Sequence, residues 1–187
     1  VILLDELTNR KLRRKYHVAD EYDYRENSIY KTYLACDAVS DEILLRNHYR
    51  CNKKIIDFNN KKYYNSKLQV QSDSRERQPL VYVNVDGGPG DMKNTSPAEV
   101  EEIMRYAGEN PDKSIAVITP FVNQRILIER GIKENGFEHV VCGTVHAFQG
   151  DEKDVVLFST ALSDRTGKGT YDWLKNNKEL INVATSR

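Results

Sequence analysis

Short apolar runs alternate with segments of helical periodicity along much of the chain. The runs SIAVIT, HVVCGTV and KDVVLF have the length and composition of buried strands. Between such runs, apolar residues recur every three or four positions, which is typical of amphipathic helices. The alternation predicts an α/β fold with a mostly parallel sheet flanked by helices.

Start and stop signals place several individual elements. Ser28 is expected to cap a helix through IYKTYLAC, and Ser96-Pro97 to open another helix. Gly136 is expected to end the helix that starts at VNQR. Further expected elements are strands at VILLDE, DEILLRNHYRC and PLVYVNVDG, and helices at KKIIDFNNKKYYNSKL and through the centre of YDWLKNNKELINVATSR.

Composition narrows the class of protein. The chain has 187 residues, of which 39% are apolar and 30% charged, as in a globular domain with a sizeable core. Its 28 basic and 28 acidic residues give zero net charge, so any surface that attracts nucleic acid must be local. The three cysteines form no CxxC pair, which argues against a disulfide framework or a zinc site and favours the cytoplasm.

The N-terminal part of the sequence has the weakest pattern. The charged segment NRKLRRKYHVADEYDYREN predicts either a loop or a surface helix. The first residue is not Met and the chain opens on a strand-like run, so we expect a fragment of a longer protein. No run reaches the length of a membrane span, and no signal-peptide pattern is visible.

Polar clusters follow several of the expected strands. HYR follows ILL, TPF follows IAVI, and a cluster rich in hydrogen-bonding groups follows VVC. Ligands of parallel sheets bind at the carboxyl ends of strands, so these clusters are the candidate sites. The sequence contains no GxxxxGK[ST] phosphate loop, and nucleotide chemistry would therefore require a partner domain.

Four segments in order resemble the motifs of superfamily 1 helicases. They are LLRNHYRCNKKIIDFNNKKYYNSKL, similar to the region of motif IV; SIAVITPFVNQRILI, similar to the strand-Thr-Pro segment after it; GTVHAFQGDEKDVVLF, similar to motif V; and NVATSR, similar to motif VI. The resemblance covers roughly residues 44–187 and implies a second, RecA-like motor domain of the P-loop NTPase type. The most similar branch contains nonsense-decay and nuclease-associated helicases. Residues 41–187 are then this domain, and residues 1–40 the end of a preceding motor domain or a linker.

The resemblance assigns a catalytic role to two arginines. Arg187 matches the arginine finger, and Arg50 matches a second contact to the γ-phosphate of ATP. A guanidinium group suits this role because it presents a planar fork of donors to the charge that develops during phosphoryl transfer. The alternative for each is a surface arginine paired with a nearby carboxylate.

Motif V and the Thr-Pro segment supply the remaining candidate residues. By resemblance, the strand of nucleic acid would be contacted by Thr119, Pro120, Thr144 and His146. The nucleotide would be contacted by Gln149, Gly150 and Glu152, with Glu152 near the sugar hydroxyls. A hydroxyl and backbone amides suit contact to a strand phosphate.

Several of these residues, and some near them, also have structural interpretations. His146 can be satisfied within its own turn. Phe121 can stack on a base or belong to the core. Gln124 can be a functional polar residue or a helix cap, and Asp154 is expected to be solvated or capping.

The start of the chain has two interpretations under the same resemblance. VILLDE is either the Walker B strand, whose carboxylates hold Mg²⁺, or a later Gly-Asp strand in which Leu4 replaces the Gly. The distance to Arg50 fits the second interpretation better, although Thr8 stands where a Gln is expected. ATP and Mg²⁺ are expected to bind mainly to an N-terminal motor domain of the same chain, with no metal site in these residues.

These inferences define one main hypothesis and two rivals. The main one is the C-terminal motor domain of a monomeric helicase that acts on single-stranded nucleic acid, with DNA ranked ahead of RNA and no membrane partner. No residue decides between DNA and RNA. The rivals are a regulatory or nuclease-linked binding module that retains the helicase fold, and an unrelated α/β nucleotide-binding enzyme.

Overall fold

The computed structural model describes residues 4–36, 43–72, 78–144 and 153–186. The chain forms two compact units, Val1–Leu45 and Arg46–Arg187. None of the helices in these described ranges is long and apolar enough to cross a membrane.

The first unit is helical. Helix α1 spans Glu6–Lys15, a short 3₁₀ helix spans Asp20–Tyr22, and α2 spans Ile29–Cys36. Ser28 caps α2 as expected, because its Oγ accepts a hydrogen bond from the Lys31 amide at 3.3 Å.

The strand expected at VILLDE is wrong for the residues of that run that the structure describes. The Asp5 carboxylate caps α1 by accepting a hydrogen bond from the Thr8 amide at 2.9 Å, and Glu6 is the first residue of the helix. Glu6 also pairs with Arg10 at 2.7 Å. Asp5 and Glu6 thus have structural contacts within this unit, while residues 1–3 lie outside the described ranges, so the Walker B and Gly-Asp interpretations stay predictions.

The second unit is built on a parallel sheet. Strand β3 (Ile115–Thr119) lies between β4 (Val140–Thr144) and β5 (Val155–Phe158), and both neighbours run parallel to it. A second parallel pair joins β1 (Asn47–His48) to β2 (Gln69–Val70). The helices are α3 (Lys53–Tyr63), α4 (Pro97–Glu109), α5 (Val122–Asn135), α6 (Lys168–Asn176) and α7 (Lys178–Ala184).

Side chains of β3 point alternately to two helical layers. Ile115 and Val117 belong to a core cluster with residues of α4 and α5, including Ala107 and Ile128. Ala116 and Ile118 instead pack against Ala184 of α7. All five residues of β3 are buried, as expected of a central strand covered on both faces. The predicted α/β fold with a mostly parallel sheet flanked by helices is confirmed.

Two of the expected strands are wrong in whole or in part. PLVYVNVDG forms no strand, and Leu80 and Tyr82 are 68% and 87% exposed. Its composition favours a strand, but strand formation also requires a hydrogen-bonding neighbour. In DEILLRNHYRC only Asn47–His48 is a strand, and residues 41 and 42 lie outside the described ranges.

Candidate functional site

Two residues that are predicted to bind a strand of nucleic acid lie side by side at the carboxyl edge of the β-sheet. Thr119 ends β3, Thr144 ends β4, and the two are direct partners in the parallel register. Thr144 is half-buried. The sheet therefore brings together two threonines that are 25 positions apart in the sequence.

The side chain of Thr119 is enclosed in this structure. It is fully buried, and its Oγ1 accepts a hydrogen bond from the Phe121 amide at 3.4 Å. Pro120 between them is half-buried, whereas Phe121 is buried, as the core interpretation of this residue predicted. A contact between Thr119 and a phosphate of the nucleic-acid strand stays a prediction. It would require the buried Thr119 hydroxyl to become accessible.

A buried amide on α5 connects this edge to α4. Gln124 has no exposed surface, and its Oε1 accepts a hydrogen bond from the Ser96 amide at 2.8 Å. Its Nε2 donates to the Ser96 carbonyl at 3.3 Å and to Ser159 Oγ at 3.0 Å. Gln124 thus joins the N-cap of α4 to the end of β5, and does not act as a cap of its own helix.

The same set of bonds ends on a carboxylate. Ser159 Oγ donates to Glu99 Oε2 at 2.6 Å, and the Ala161 amide donates to the same oxygen at 3.1 Å. We call Ser96, Glu99, Gln124, Ser159 and Ala161 the Gln124 network. It fixes the chain where it leaves β5, so that the following loop starts at a defined place.

The turn that carries Arg50 is closed by two flanking residues. His48 Nε2 accepts a hydrogen bond from the Cys51 amide at 3.2 Å and lies 3.0 Å from Cys51 Sγ. Ser72 Oγ donates to the Cys51 carbonyl at 2.6 Å. Cys51 is buried, whereas Arg50 is exposed. The turn is thus held by the bonds to Cys51, and Arg50 on it is exposed.

Burial favours the neutral forms of both Cys51 and His48 in this turn. Burial raises the pKa of the Cys51 thiol to about 11, so the thiol stays protonated at neutral pH. Burial, and secondly the positive charge of Arg50, lowers the pKa of His48. Because Nε2 acts as an acceptor, we assign the ring proton of neutral His48 to Nδ1.

A second buried amide joins α3 to α7. Asn59 has no exposed surface, and its Nδ2 donates to the Asn182 carbonyl at 3.2 Å. Its Oδ1 accepts from Thr185 Oγ1 at 2.7 Å, and Asn182 Nδ2 donates to Tyr64 Oη at 3.0 Å. We call Asn59, Tyr64, Asn182 and Thr185 the Asn59 network. It connects the helix that follows Arg50 to the segment that precedes Arg187.

Five predicted site residues fall outside the described ranges. They are His146, Gln149, Gly150, Glu152 and Arg187. Their roles stay predictions. Of the neighbouring carboxylates, Asp154 accepts hydrogen bonds from the Ser114 hydroxyl and amide at 2.7 and 2.9 Å, which lowers its pKa and fits the capping interpretation.

An open cavity adjoins the Thr-Pro segment. It has a volume of about 1040 Å³, and its walls come from the segment before α4, the start of α5 and the chain from Ala161 to Trp173. Sequence reasoning missed Asn59 and Trp173. The only signal for Trp173 was the sequence SDRTGKGTYDW, in which a basic, glycine-containing loop precedes an aromatic residue. Among the described residues, no group of three or more His, Cys, Asp or Glu side chains is placed to hold a metal ion.

The sheet, its two helical layers and the order of the motif segments define a RecA-like domain of the P-loop NTPase type. A family model described as an AAA domain matches residues 25–187, and the chain belongs to this family. The match leaves out only the first part of the helical unit. Within the family, similarity to curated relatives connects the chain to superfamily 1 helicases of the nonsense-decay branch.

Three curated relatives show this connection. Mouse 3'-5' exoribonuclease HELZ2 is 28% identical over 187 residues, which covers 79% of this chain and 6% of the relative. Mouse RNA helicase Mov10l1 is 25% identical over 210 residues, covering 97% and 17%. The fruit fly (Drosophila melanogaster) regulator of nonsense transcripts 1 homolog is 26% identical over 168 residues, covering 74% and 14%. The chain thus spans less than a fifth of the length of each of these relatives.

Proposed function

We propose that the chain is the second motor domain of an ATP-dependent helicase or translocase. In this proposal it supplies Arg50 and Arg187 to an ATP site whose phosphate loop belongs to an N-terminal motor domain of the same protein. It also supplies half of a groove for single-stranded nucleic acid, through Thr119, Pro120, Thr144 and His146.

The observation that carries the proposal is the Asn59 network. Arg50 lies two residues before the N-cap of α3, and Thr185 lies two residues before Arg187. Asn59 of α3 bonds directly to Thr185 and to the Asn182 carbonyl. A buried link of this kind, between segments more than 100 residues apart, is what two arginines acting on one phosphate group would require.

The residues of this chain fit part of an ATP site. Arg50 is an exposed residue on a turn held by hydrogen bonds and suits the γ-phosphate, and Gln149, Gly150 and Glu152 would hold the rest of the nucleotide. Bound Mg²⁺ would neutralise phosphate charge. Asp5 is committed to capping α1 and Glu6 pairs with Arg10, so we infer that the Mg²⁺ ligands belong to the other motor domain.

The nucleic-acid partner is proposed as a single strand, and its sugar is open to test. The printed names of two relatives refer to RNA, namely an RNA helicase and an exoribonuclease. This favours RNA, whereas the sequence alone favours DNA. Parallel titrations with oligo-U and oligo-dT of equal length decide between them.

The test of the proposal uses the protein that contains both motor domains. We expect strand-stimulated ATP hydrolysis, and we expect Arg50→Ala or Arg187→Ala to reduce kcat by about 10³-fold. Arg130→Ala, on the exposed surface of α5, is the matched control and should leave kcat unchanged. The 187-residue chain by itself should not hydrolyse ATP. Turnover by the isolated chain that is lost on Arg187→Ala would refute the proposed division of labour.

Substitutions in motif V separate the two halves of the proposed site. Thr144→Ala should weaken strand binding while ATP binding without a strand stays unchanged. Glu152→Ala should mainly raise the KM for ATP. If both substitutions changed only the free energy of unfolding, motif V would be structural in this protein.

A binding module that retains the helicase fold is the second candidate. It is favoured by the relative named as an exoribonuclease, in which this region is a small part of a larger protein. Strand binding by the protein with no ATP hydrolysis under any condition would support this candidate over the motor.

A further inference from the structure

The cavity next to the Thr-Pro segment has features that none of the motif assignments uses. It lies in the second unit, and Pro120 and Phe121, which follow β3, form part of its wall. Arg165 and Trp173 also line the cavity from the chain after β5, and Lys93 lines it from the segment before α4. Its volume of about 1040 Å³ exceeds that of one nucleotide, so a base and its flanking backbone could enter together.

The Trp173 side chain in this cavity is restrained by a neighbouring ring but stays partly exposed. The rings of Trp173 and Phe121 have centroids 5.9 Å apart and are tilted by 34°. Phe121 is 7% exposed, whereas Trp173 is 44% exposed. Phe121 therefore restrains the indole from within the domain, while much of the indole surface stays open. A restrained aromatic ring with free surface is suited to stacking on a flat ligand.

Charge around the ring favours an anionic ligand. Lys93 and Arg165 line the cavity, against one carboxylate from Asp91. Asn123 Nδ2 donates to the Lys93 carbonyl at 3.0 Å, which ties the lysine segment to α5. The cavity therefore combines a stacking surface with a net positive charge on segments that are fixed to the edge of the sheet. Ligands with an aromatic base beside a phosphate match this combination.

We propose that this cavity is a base-stacking subsite for the single strand, in which one unpaired base stacks on Trp173 and the adjacent phosphates lie near Lys93 and Arg165. The proposal rests on the proposed strand-binding function and deepens it. Its location supports it, because Pro120 belongs both to the cavity wall and to the predicted strand contacts. A strand that passes Thr144 along the carboxyl edge of the sheet would reach the cavity beside β3.

The chain carries its own probe for this contact, because Trp173 is its only tryptophan. Titration of the 187-residue chain with U₁₂ and with dT₁₂ should quench the tryptophan fluorescence, and the same titration followed by anisotropy of a labelled strand gives Kd. An abasic 12-mer carries the same charge without bases, and it should bind more weakly with no quenching. Free ATP and UMP test whether a single nucleotide fills the cavity instead. Quenching by UMP as strong as that by U₁₂, at equal concentration, would overturn the assignment to a strand.

Three variants test the role of the ring. Trp173→Ala should raise Kd for the 12-mers about 5- to 150-fold, which is the range for loss of one base-aromatic stack. Trp173→Phe keeps an aromatic ring and should raise Kd less. Tyr171→Ala is the matched control, since Tyr171 is 45% exposed on the same helix but does not line the cavity, and Kd should change less than about twofold. Circular dichroism and thermal unfolding check that each variant is folded.

The outcomes separate this inference from the proposed function. Binding of the 12-mers without quenching, or with equal Kd for Trp173→Ala and Tyr171→Ala, would overturn the stacking subsite and leave the motor proposal standing. Absence of any binding by the chain would also overturn the subsite, while strand-stimulated ATP hydrolysis by the protein with both motor domains would still test the proposed function.

Discussion

Two buried amides among the described residues of the second unit form similar hydrogen bonds in different places. Gln124 and Asn59 are both fully buried, and each forms hydrogen bonds through both atoms of its amide group. Gln124 lies on α5, whose residues pack on one face of β3. Asn59 bonds to α7, which packs on the other face. The difference lies in what each amide connects.

The Gln124 network is closed within one side of the domain. It joins the start of α4, the start of α5 and the end of β5, and it ends on the Glu99 carboxylate. The Asn59 network instead joins two segments that carry the proposed catalytic arginines at their ends. We therefore expect disruption of the Gln124 network mainly to lower the free energy of unfolding. Disruption of the Asn59 network should mainly lower the rate of ATP hydrolysis, with a smaller effect on the free energy of unfolding.

The largest loss of stability is expected for Gln124→Met. The substitution keeps an unbranched side chain but removes the acceptor of the Ser96 amide, one of the two donors to the Ser96 carbonyl, which keeps the Val100 amide at 3.2 Å, and one partner of Ser159. Unsatisfied buried groups cost about 1–3 kcal/mol each, so we expect the free energy of unfolding to fall by about 2–4 kcal/mol. Urea unfolding followed by circular dichroism measures this change.

The neighbouring Asn123 provides the control for that experiment. Its amide donates one bond to the Lys93 carbonyl at the protein surface, so Asn123→Ala should cost less than about 1 kcal/mol. Equal losses for the two variants would contradict the central role of Gln124.

The next largest effect is expected for Thr185→Val, which removes a hydroxyl and keeps the shape of the side chain. Thr185 Oγ1 is 2.7 Å from both Asn59 Oδ1 and the Ile181 carbonyl, but that carbonyl already accepts from the Thr185 amide at 3.0 Å. The hydroxyl proton is therefore assigned to Asn59. We expect the free energy of unfolding to fall by about 1 kcal/mol. The larger effect is expected on kcat for ATP hydrolysis by the protein with both motor domains.

Thr185→Ser separates the hydroxyl from the methyl group. It retains the donor to Asn59, so kcat should stay near that of the unchanged protein. If Thr185→Val lost stability with no change in kcat, the Asn59 network would be structural only, and the comparison between the two networks would fail.

Elements with strong local signals could be predicted from the sequence. Ser96-Pro97 opens α4, and Gly136 ends α5 in the left-handed region at φ 66°, because these residue types suit those backbone positions. PLVYVNVDG has equally good strand composition, but strand formation depends on a neighbour that local sequence does not specify.

The same limit applies to the candidate site. Motif resemblance located Thr119 and Thr144, and the sheet placed them side by side. Asn59 looked like a polar residue on an amphipathic helix, because its burial depends on α7, more than 100 residues further along the chain. The role proposed for Trp173 likewise depends on α6, which brings the residue beside Phe121.

A position outside both networks gives a baseline for these effects. Gly136 has a positive φ and no atom within 4 Å of where a Cβ would stand, so Gly136→Ala adds backbone strain without a clash. We expect it to lower the free energy of unfolding by about 1 kcal/mol, with no effect on kcat. Thermal unfolding measures the first quantity. A fall in kcat would show that any loss of stability reduces activity, which would weaken the interpretation of Thr185→Val.

The smallest expected effect concerns the pKa of His48, at the start of the segment that the Asn59 network fixes. Burial and the charge of Arg50 hold this pKa below its ordinary value of 6.5. The unfolded chain therefore binds more protons than the folded chain in this range. Stability from neutral His48 is present above pH 6.5 and is lost as the pH falls from there through the folded-state pKa. Urea unfolding at several pH values measures this loss.

Arg50→Gln tests the assignment of causes. Removal of the charge should raise the pKa of His48, measured by NMR titration of the ring, but burial is the larger cause and should keep it below 6.5. Arg46→Gln, on the exposed residue just before β1, should leave it unchanged. If the pKa of His48 does not respond to Arg50→Gln, the Arg50 guanidinium lies too far from the His48 ring for this turn to fix the position of Arg50. The Asn59 network would then fix α3 without fixing Arg50.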